Sequence, residues 1–376
     1  MKKMKRFMCM LLAACLMTGL LAGCTGSAGG SASSASPSAS GAALTEVKWV
    51  SPAALASLDF CWLYVADAMG YLADEGIKLD VVECTDGSDA KYLASGSADF
   101  GGFSPAVGLS SADAGAGNYT AVCNIVVNNI FGLAYKKGGS VSDWSDLSGK
   151  NIAALAESWP SLFNPILEAA KVDPKSVNYV VYGPAEYEAL NSGNADAMGT
   201  WISEYYMCVG MGYDDWGYLN GNDVLPQIAN SLWVNNDFAK AHPELVKGFV
   251  RALTKASYFC YLNPEAAADI TLNKFPEIEI TWEGAVGAVK GNVCGMIGAT
   301  TADQEARVSA HKIGVFDMDT VKQTITNLYN GGSISKMLDA ATYYTNDFVD
   351  TSWDYAAVKA DSDGYQFGSK LYTKTH

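Results

Sequence analysis

The sequence predicts an α/β protein built from two similar lobes, and two patterns along the chain support this. From Glu46 onward, short apolar runs of strand length alternate with segments of helical periodicity, which is typical of an α/β fold with largely parallel sheets. In addition, residues 93–99 (LASGSAD) are echoed by residues 190–196 (LNSGNAD). Both copies place a helix end, a glycine able to adopt positive φ and a strand start in the same order. Two related lobes explain this repetition, and chance similarity of a helix-stop pattern is the alternative.

Lobe 1 is predicted from residues 45–130 together with 230–376. The predicted elements of its first part are a strand at 47–51, an amphipathic helix at 60–73, a strand at 78–83, a helix at 90–95, a strand at 100–103, and one or two long strands over 120–135 broken near Asn128-Asn129. The stretch over 120–135 is long enough to cross from one lobe to the other, so we expect the first crossover there.

Lobe 2 is predicted from residues 131–229, and the chain then returns. Its predicted elements are a helical turn at 143–147, a strand at 150–155, a helix at 161–170 and a strand at 178–182. The run 229–234 is interpreted as the returning strand. A helix starting at Pro243 should run to about Leu262, because Pro followed by Glu244 suits a first helical turn and Asn263-Pro264 ends it. Another helix is expected over 265–274, and the remainder can be placed only as a series of helices and turns.

The first residues form a targeting pattern. Four cationic residues precede an apolar stretch at 7–22, which is shorter than the roughly 20 apolar residues that span a bilayer. The segment 21–24 (LAGC) resembles the lipobox of bacterial lipoproteins. That resemblance implies that residues 1–23 are a removed signal peptide and that Cys24 carries a lipid anchor, which places the mature protein outside the cytoplasm on the cell membrane. A plain secretory signal with an incidental Cys24 is the alternative. Residues 24–44 are rich in Gly, Ser and Ala and are predicted to be a flexible tether.

Charge narrows the possible partners. The formal net charge is −15, and the predicted signal peptide contains cations but no acid, so the mature chain is more acidic still. Nucleic acid is therefore excluded as a partner. After Arg6 only Arg251 and Arg307 remain, which disfavours a multiply charged anionic ligand because the arginine fork usually grips such groups. The cysteines between 61 and 294 have no C-x-x-C spacing, so free buried thiols are expected, with one or two disulfides as the alternative.

Several short motifs in a fixed order resemble a known family. They are residues 63–77 (LYVADAMGYLADEGI), 93–100, 146–150 (DLSGK), 189–197, 241–246 (AHPELV) and 263–267 (NPEAA). This set is similar to the periplasmic-binding-protein-like family of receptors for nitrate, sulfonate, taurine and thiamine-pyrimidine-precursor importers. The resemblance implies a type II periplasmic-binding-protein-like fold, in which two α/β lobes are joined by a two-strand hinge and close on a ligand in the cleft. It also implies a monomer that captures a small molecule and works with the permease and ATPase subunits of an ABC transporter.

The same resemblance indicates where the ligand would lie, because such sites form beyond the carboxyl ends of the strands. The predicted ligand-binding residues are Asp59, Phe60, Trp62, Phe103, Ser104, Asn128, Asn129, Glu157, Ser158, Trp159, Trp201, Glu204, Tyr205 and Trp233. Trp159 is the preferred individual candidate, since it lies at a strand-to-helix turn beside Pro160. Ordinary packing is the alternative role for each ring.

Ring stacking and carboxylates suggest the ligand's chemistry. Asp59, Glu157 and Glu204 could accept hydrogen bonds from amino or ring N–H groups, or could instead cap helices. We therefore hypothesise a planar, neutral or mildly cationic N-heterocycle, such as an aminopyrimidine or a flavin-like ring. Receptors for pyrimidine precursors usually carry Asn and His where this chain has Asp59 and Phe60. A receptor for sulfonate, taurine or nitrate is the alternative within the family.

The sequence does not predict an enzyme, a metal site or a cofactor. Its histidines are His242, His311 and His376, so a Ser-His or Cys-His catalytic pair has few candidates. No G-x-S-x-G, H-E-x-x-H or phosphate-binding glycine loop is present. A pyrimidine-related enzyme of the same fold is the second alternative, since a carboxylate pair could still act as acid and base.

Overall fold

The computed structural model describes residues 43–84, 87–157 and 159–368, which form two five-stranded sheets with helices packed around them. In chain order the strands are β1 (Thr45–Ser51), β2 (Ile77–Glu83), β3 (Phe100–Gly101), β4 (Tyr119–Val126), β5 (Phe131–Lys136), β6 (Asn151–Ala154), β7 (Asn178–Val181), β8 (Ala197–Trp201), β9 (Trp216–Asn220) and β10 (Asn230–Asn235). The described residues all belong to one compact unit that begins at Ala43.

The two sheets share one topology. The first has the order β2-β1-β3-β10-β4 and the second β7-β6-β8-β5-β9. In each, the first three strands in this order pair in parallel. The fourth strand, β10 or β5, pairs antiparallel with both of its neighbours and comes from the other sheet along the chain. We call the first sheet with its helices lobe 1 and the second lobe 2. The predicted fold of two α/β lobes is confirmed. The proposed boundaries after residues 130 and 229 stay a prediction.

Helices cover the sheets and fill the long C-terminal part. In chain order they are α1 (Cys61–Ala68), α2 (Tyr71–Asp74), α3 (Asp89–Ala94), α4 (Pro105–Asp113), α5 (Pro160–Ala169), α6 (Glu186–Ser192), α7 (Ile202–Gly210), α8 (Asn236–Ala241), α9 (Pro243–Leu262), α10 (Pro264–Lys274), α11 (Trp282–Met296), α12 (Thr301–Ser309), α13 (Met318–Asn330), α14 (Ala340–Tyr343) and α15 (Tyr355–Asp363). Among the described residues, no helix combines the length and apolar character that crossing a bilayer requires.

Local sequence explains most element boundaries. The predicted bounds of α9 are confirmed, and Asn263 caps the following helix by accepting a hydrogen bond from the N–H of Ala266 at 2.9 Å. The helix predicted over 60–73 is instead a 3-10 turn at Leu58–Phe60 followed by α1 and α2. It breaks because Gly70 adopts a φ of 76°. The stretch 120–135 divides into β4 and β5, as the Asn128-Asn129 break suggested.

The interior strand β1 and the edge strand β7 differ in burial. In β1, which lies between two neighbours, Val47, Trp49 and Val50 are fully buried, and Val47 and Trp49 pack in the core that includes the helices of lobe 1. Strand β7 lies at the edge of its sheet, and its Val180 and Val181 are exposed. The cysteines at 61, 84, 123, 208, 260 and 294 are buried and form no disulfide among the described residues, as the sequence indicated. The signal peptide, Cys24, nearly all of the tether, Ser158 and His376 lie outside the described residues.

Candidate ligand-binding site

A cavity of about 400 Å³ lies where the carboxyl ends of strands from both lobes meet. Its walls include residues that directly follow the strands: Pro52 and Ala53 after β1, Gly102 and Phe103 after β3, and Ile202 and Ser203 after β8. The crossover strands contribute Val126 and Asn230 from lobe 1 and Phe131 from lobe 2. This is the place that the fold offers a ligand, because the loops after parallel strands surround a crevice there.

Much of the cavity wall is aromatic. Of the predicted residues, Phe60, Trp62, Phe103 and Trp201 line it. Phe60 and Trp62 are held from behind by Trp49, whose ring packs edge-on at centroid distances of 5.5 and 6.1 Å. Rings supported in this way keep their faces in place for stacking on a flat ligand.

The polar part of the wall is acidic. Asp59 and Asp89 line the cavity, while no lysine, arginine or histidine stands among its described lining residues. An Asp59 carboxylate oxygen accepts a hydrogen bond of 2.7 Å from the hydroxyl of Ser203, which belongs to lobe 2. The other oxygen accepts one of 3.3 Å from Ser57. Asp59 therefore connects the lobes and presents negative charge to the cavity.

Ser104, also predicted, lines the cavity at the start of α4. Its hydroxyl accepts a hydrogen bond of 3.3 Å from the N–H of Val107, and Pro105 follows in the first helical position. The hydroxyl thus caps the helix and at the same time contributes a polar atom near the cavity.

Asn128 and Asn129 lie beside the cavity but do not line it. The Asn128 amide donates a hydrogen bond of 3.0 Å to the carbonyl of Cys294. Asn129 joins the two crossovers, since its amide donates to the carbonyl of Leu225 at 3.1 Å and its N–H donates to Asn222 at 3.0 Å. Both asparagines therefore hold the crossover region together.

Trp159 lies behind the cavity wall rather than in it. Its ring is buried and stacks on Phe163 at 5.1 Å, and it lies 6.4 Å from the ring of Trp201. Trp159 thus supports the tryptophan that does face the cavity. Glu157 is exposed to solvent outside the lining.

Trp233 likewise belongs to the protein core. It is fully buried, stacks on Phe103 at 5.4 Å with an interplanar angle of 9°, and donates its indole N–H to the Phe103 carbonyl at 2.9 Å. Its position favours the packing alternative, in which it orients Phe103 toward the cavity.

Glu204 and Tyr205 are positioned inside lobe 2. The Glu204 carboxylate accepts hydrogen bonds from the hydroxyls of Tyr187 and Thr200. Burial raises its pKa to about 7, an effect that those two hydroxyls oppose and that nearby Asp59 reinforces. Tyr205 stacks on Tyr218 at 4.9 Å and does not line the cavity.

A second buried acid, Glu186, lies close to Glu204. Its side chain is 1% exposed, and neither carboxyl oxygen has a hydrogen-bond partner among the described residues. Burial, together with the negative charge of Glu204, raises the pKa of Glu186 to about 8. Lobe 2 thus contains two buried carboxyls that resist ionisation.

Sequence reasoning missed several lining residues. Asp89 is the first residue of α3 and Ser203 the second of α7, so both could have been found by extending the strand-end rule into the first turn of the next helix. Gly291, Asn292 and Gly295 come from α11, which the sequence placed only loosely. No local signal marks them, because their approach to the cavity depends on how α11 packs.

Comparison with known proteins places the chain in a family. The curated relatives include 4-amino-5-hydroxymethyl-2-methylpyrimidine phosphate synthase of Legionella pneumophila, 23% identical over 233 residues that cover 57% of this chain and 70% of the relative. The formylaminopyrimidine-binding protein of Halalkalibacterium halodurans is 28% identical over 228 residues, which cover 57% and 67%.

Among solved structures, the periplasmic aliphatic sulphonate binding protein SsuA from Escherichia coli matches with a TM-score of 0.57 and 15% identity. The match covers 79% of this chain and 90% of that one, and at this identity it shows the fold alone. A family model described as NMT1/THI5 like matches residues 57–267, more than half of the sequence. The chain belongs to the NMT1/THI5-like family.

Proposed function

We propose that this protein is the extracytoplasmic, lipid-anchored solute-binding component of an ABC importer and that it binds a planar, neutral or mildly cationic N-heterocycle. The observation that carries the proposal is the cavity between the lobes, which combines aromatic walls with Asp59 and Asp89 and has no basic side chain among its described lining residues. Its volume is within the range of small-molecule sites, roughly 300–1,000 Å³.

The chemistry of the lining favours a heterocycle over an anion. A sulfonate or nitrate would meet the negative charge of Asp59 without a lysine or arginine in the lining to compensate for its lost hydration. An amino group or protonated ring nitrogen would instead gain a charge-assisted hydrogen bond from the same carboxylate. The relative named as a formylaminopyrimidine-binding protein supports a ligand of this class.

An enzyme is the second candidate, because several curated relatives are named as pyrimidine phosphate synthases. Against it, neither His242 nor His311 lines the cavity, and the polar groups that do so are carboxylates, hydroxyls and amides. A binding role needs no more than these groups supply.

Mass spectrometry of small molecules that copurify with protein expressed without residues 1–24 tests the proposal. Tryptophan fluorescence titration with pyrimidines, flavins and sulfonates then ranks the ligand classes, since Trp62 and Trp201 line the cavity. We expect saturable quenching by a heterocycle that is recovered unchanged. A response to sulfonates alone would reject the heterocycle, and a chemically altered heterocycle would favour the enzyme.

A further inference from the structure

Helix α11 lies outside the family-matched residues, which end at 267, yet it reaches both lobes and the cavity. Three of its residues, Gly291, Asn292 and Gly295, line the cavity. This helix therefore contributes to the cavity wall although the family model does not extend to it.

Toward lobe 2, α11 packs against α7 with almost no side chain between the two backbones. A β-carbon on Gly291 would lie 2.7 Å from the carbonyl oxygen of Ile202 and would overlap the Cα of Ser203. A β-carbon on Gly287 would overlap the carbonyl oxygen of Tyr206. Backbone atoms cannot rotate away as a side chain can, so any larger residue here would push the helices apart.

Toward lobe 1, α11 is held by hydrogen bonds near its C-terminal end. The N–H of Val127 donates to the carbonyl of Gly295 at 2.9 Å, and the Asn128 amide donates to the carbonyl of Cys294 at 3.0 Å. The Asn292 amide donates to the carbonyl of Leu58 at 2.8 Å. Because α11 is tied to lobe 1 and to the first crossover, a clash with α7 should displace lobe 2 rather than α11.

Both contacts converge on Asp59. Asn292 holds the carbonyl of Leu58, the residue before Asp59, while Gly291 admits Ser203 to within 2.7 Å of the Asp59 carboxylate. We infer that Gly291 and Asn292 are positioning residues of the binding site: the glycine sets how closely lobe 2 approaches lobe 1, and the amide fixes the turn that carries Asp59. The consequence for ligand affinity rests on the proposed function, whereas the lobe spacing itself does not.

The spacing can be measured without any ligand. Lys91 and Glu188 are exposed residues of α3 in lobe 1 and α6 in lobe 2, and spin labels on a ketone-bearing unnatural amino acid at both sites report their separation in the full chain. We expect Gly291→Ala to increase the mean separation by about 2–4 Å, since a small displacement at a packed contact is amplified by lobe rotation. Lys290→Ala, an exposed position on the same helix, should leave it unchanged.

A separation in Gly291→Ala that matches the parent chain would overturn the role of the glycine, provided that circular dichroism shows folded protein. Asn292→Ala supplies an independent test through hydrogen exchange. Peptides covering residues 58–62 should exchange several-fold faster, and those covering α9 should not change; equal exchange at 58–62 would overturn the role of the amide. If both readouts change but no solute binds, the positioning roles stand and the proposed function fails.

Discussion

The two lobes use the same seven-residue turn to join a helix to a strand. In lobe 1, Gly96 has a φ of 74°, the N–H of Asp99 donates to the carbonyl of Lys48 at 2.9 Å, and the Asp99 carboxylate accepts the N–H of Lys48 at 2.8 Å. In lobe 2, Gly193 has a φ of 78°, and Asp196 makes the equivalent two bonds with Asn151 at 2.9 and 3.0 Å. The repeated sequence therefore corresponds to a shared two-point clamp on the first of the parallel strands in each lobe, β1 in lobe 1 and β6 in lobe 2.

The lobes differ in what precedes that turn. Four residues before the leucine of the motif, lobe 1 has Asp89 and lobe 2 has Glu186, each at the first position of its helix. Both side chains are almost fully buried, at 2% and 1% exposed, but Asp89 lines the cavity whereas Glu186 lies beside Glu204. The comparison teaches that one framework can place a buried acid in the cavity wall or away from it, and that the acid beside Glu204 destabilises the folded state once it ionises.

The lobes also differ in how their tryptophans are used, and substitution of these tryptophans should have the largest effect on folding stability. Trp233 is fully buried in lobe 1, while Trp201 is half-buried at the cavity edge of lobe 2. Trp233→Ala should lower the free energy of unfolding by about 3–5 kcal/mol, because a large cavity is left in a packed core. Trp201→Ala should cost about 1 kcal/mol. Urea denaturation measures both, and equal losses would contradict the assignment of the two rings.

The buried acid of lobe 2 predicts a pH dependence of stability. The pKa of Glu186 is raised by burial to about 8, so the folded state keeps a proton that the unfolded state loses above its ordinary pKa. Stability from this group is therefore present at acid pH and falls as pH rises toward 8, by at most about 1.4 kcal/mol per pH unit.

Glu186→Gln should remove the contribution of Glu186 to that dependence, leaving that of Glu204, and stabilise the protein at pH 8 by about 1–3 kcal/mol relative to the parent chain, with little difference near pH 4. Melting temperatures across this range test the prediction. Glu188→Gln, an exposed acid on the same helix, is the matched control. If the melting temperatures of Glu186→Gln and the parent chain change with pH in parallel, Glu186 is ionised in the folded protein.

In the cleft, Asp59→Asn should weaken binding of a cationic heterocycle about tenfold or more, because a charge-assisted hydrogen bond becomes a neutral one. Affinity is measured by calorimetry or tryptophan fluorescence at fixed salt. Asp319→Asn, which changes an exposed carboxylate on α13, should bind as the parent chain does. Unchanged affinity in Asp59→Asn would exclude contact between this carboxylate and the ligand.

The smallest expected effects on stability come from substitutions at the two clamp aspartates, Asp99 and Asp196. Burial raises the pKa of Asp99, although the N–H of Lys48 opposes this, whereas Asp196 has a lowered pKa because hydrogen bonds from Ser140 and Asn151 outweigh its burial. A group whose pKa is lowered in the folded state stabilises the protein at pH values above its pKa in the unfolded state. This stabilisation is lost as the pH falls.

Asp196→Asn should therefore cost about 0.5–1 kcal/mol at pH 7 and less at pH 3, while Asp99→Asn should cost relatively more at pH 3 than at pH 7. Paired denaturation curves at the two pH values measure the differences. If both variants respond to pH in the same direction, the clamps are electrostatically alike, and the contrast between the lobes is limited to Glu186.

Local patterns predicted the secondary structure well because their causes are local. The apolar run of β1 and the proline starts of α9 and α10 each depend on a few neighbouring residues. The same rule located part of the cavity, since Phe103 and Trp201 do lie at strand ends that face it. Trp159 and Trp233 lie outside the lining, and the rule could not distinguish them, because a strand-end position does not reveal which ring faces the cavity and which packs behind it.

By itself, the sequence determined the alternation of strands and helices, the repeated glycine-aspartate turn and the acidity of the chain, since each follows from residue type and short spacing. Only the tertiary structure decided that Ser203 donates a hydrogen bond to Asp59 across the cleft, that Glu186 is buried, and that the glycines of α11 allow the backbone of α7 in lobe 2 to pack closely against it. These three features join residues distant in sequence through close packing, and packing is set by the shapes of all the neighbours at once.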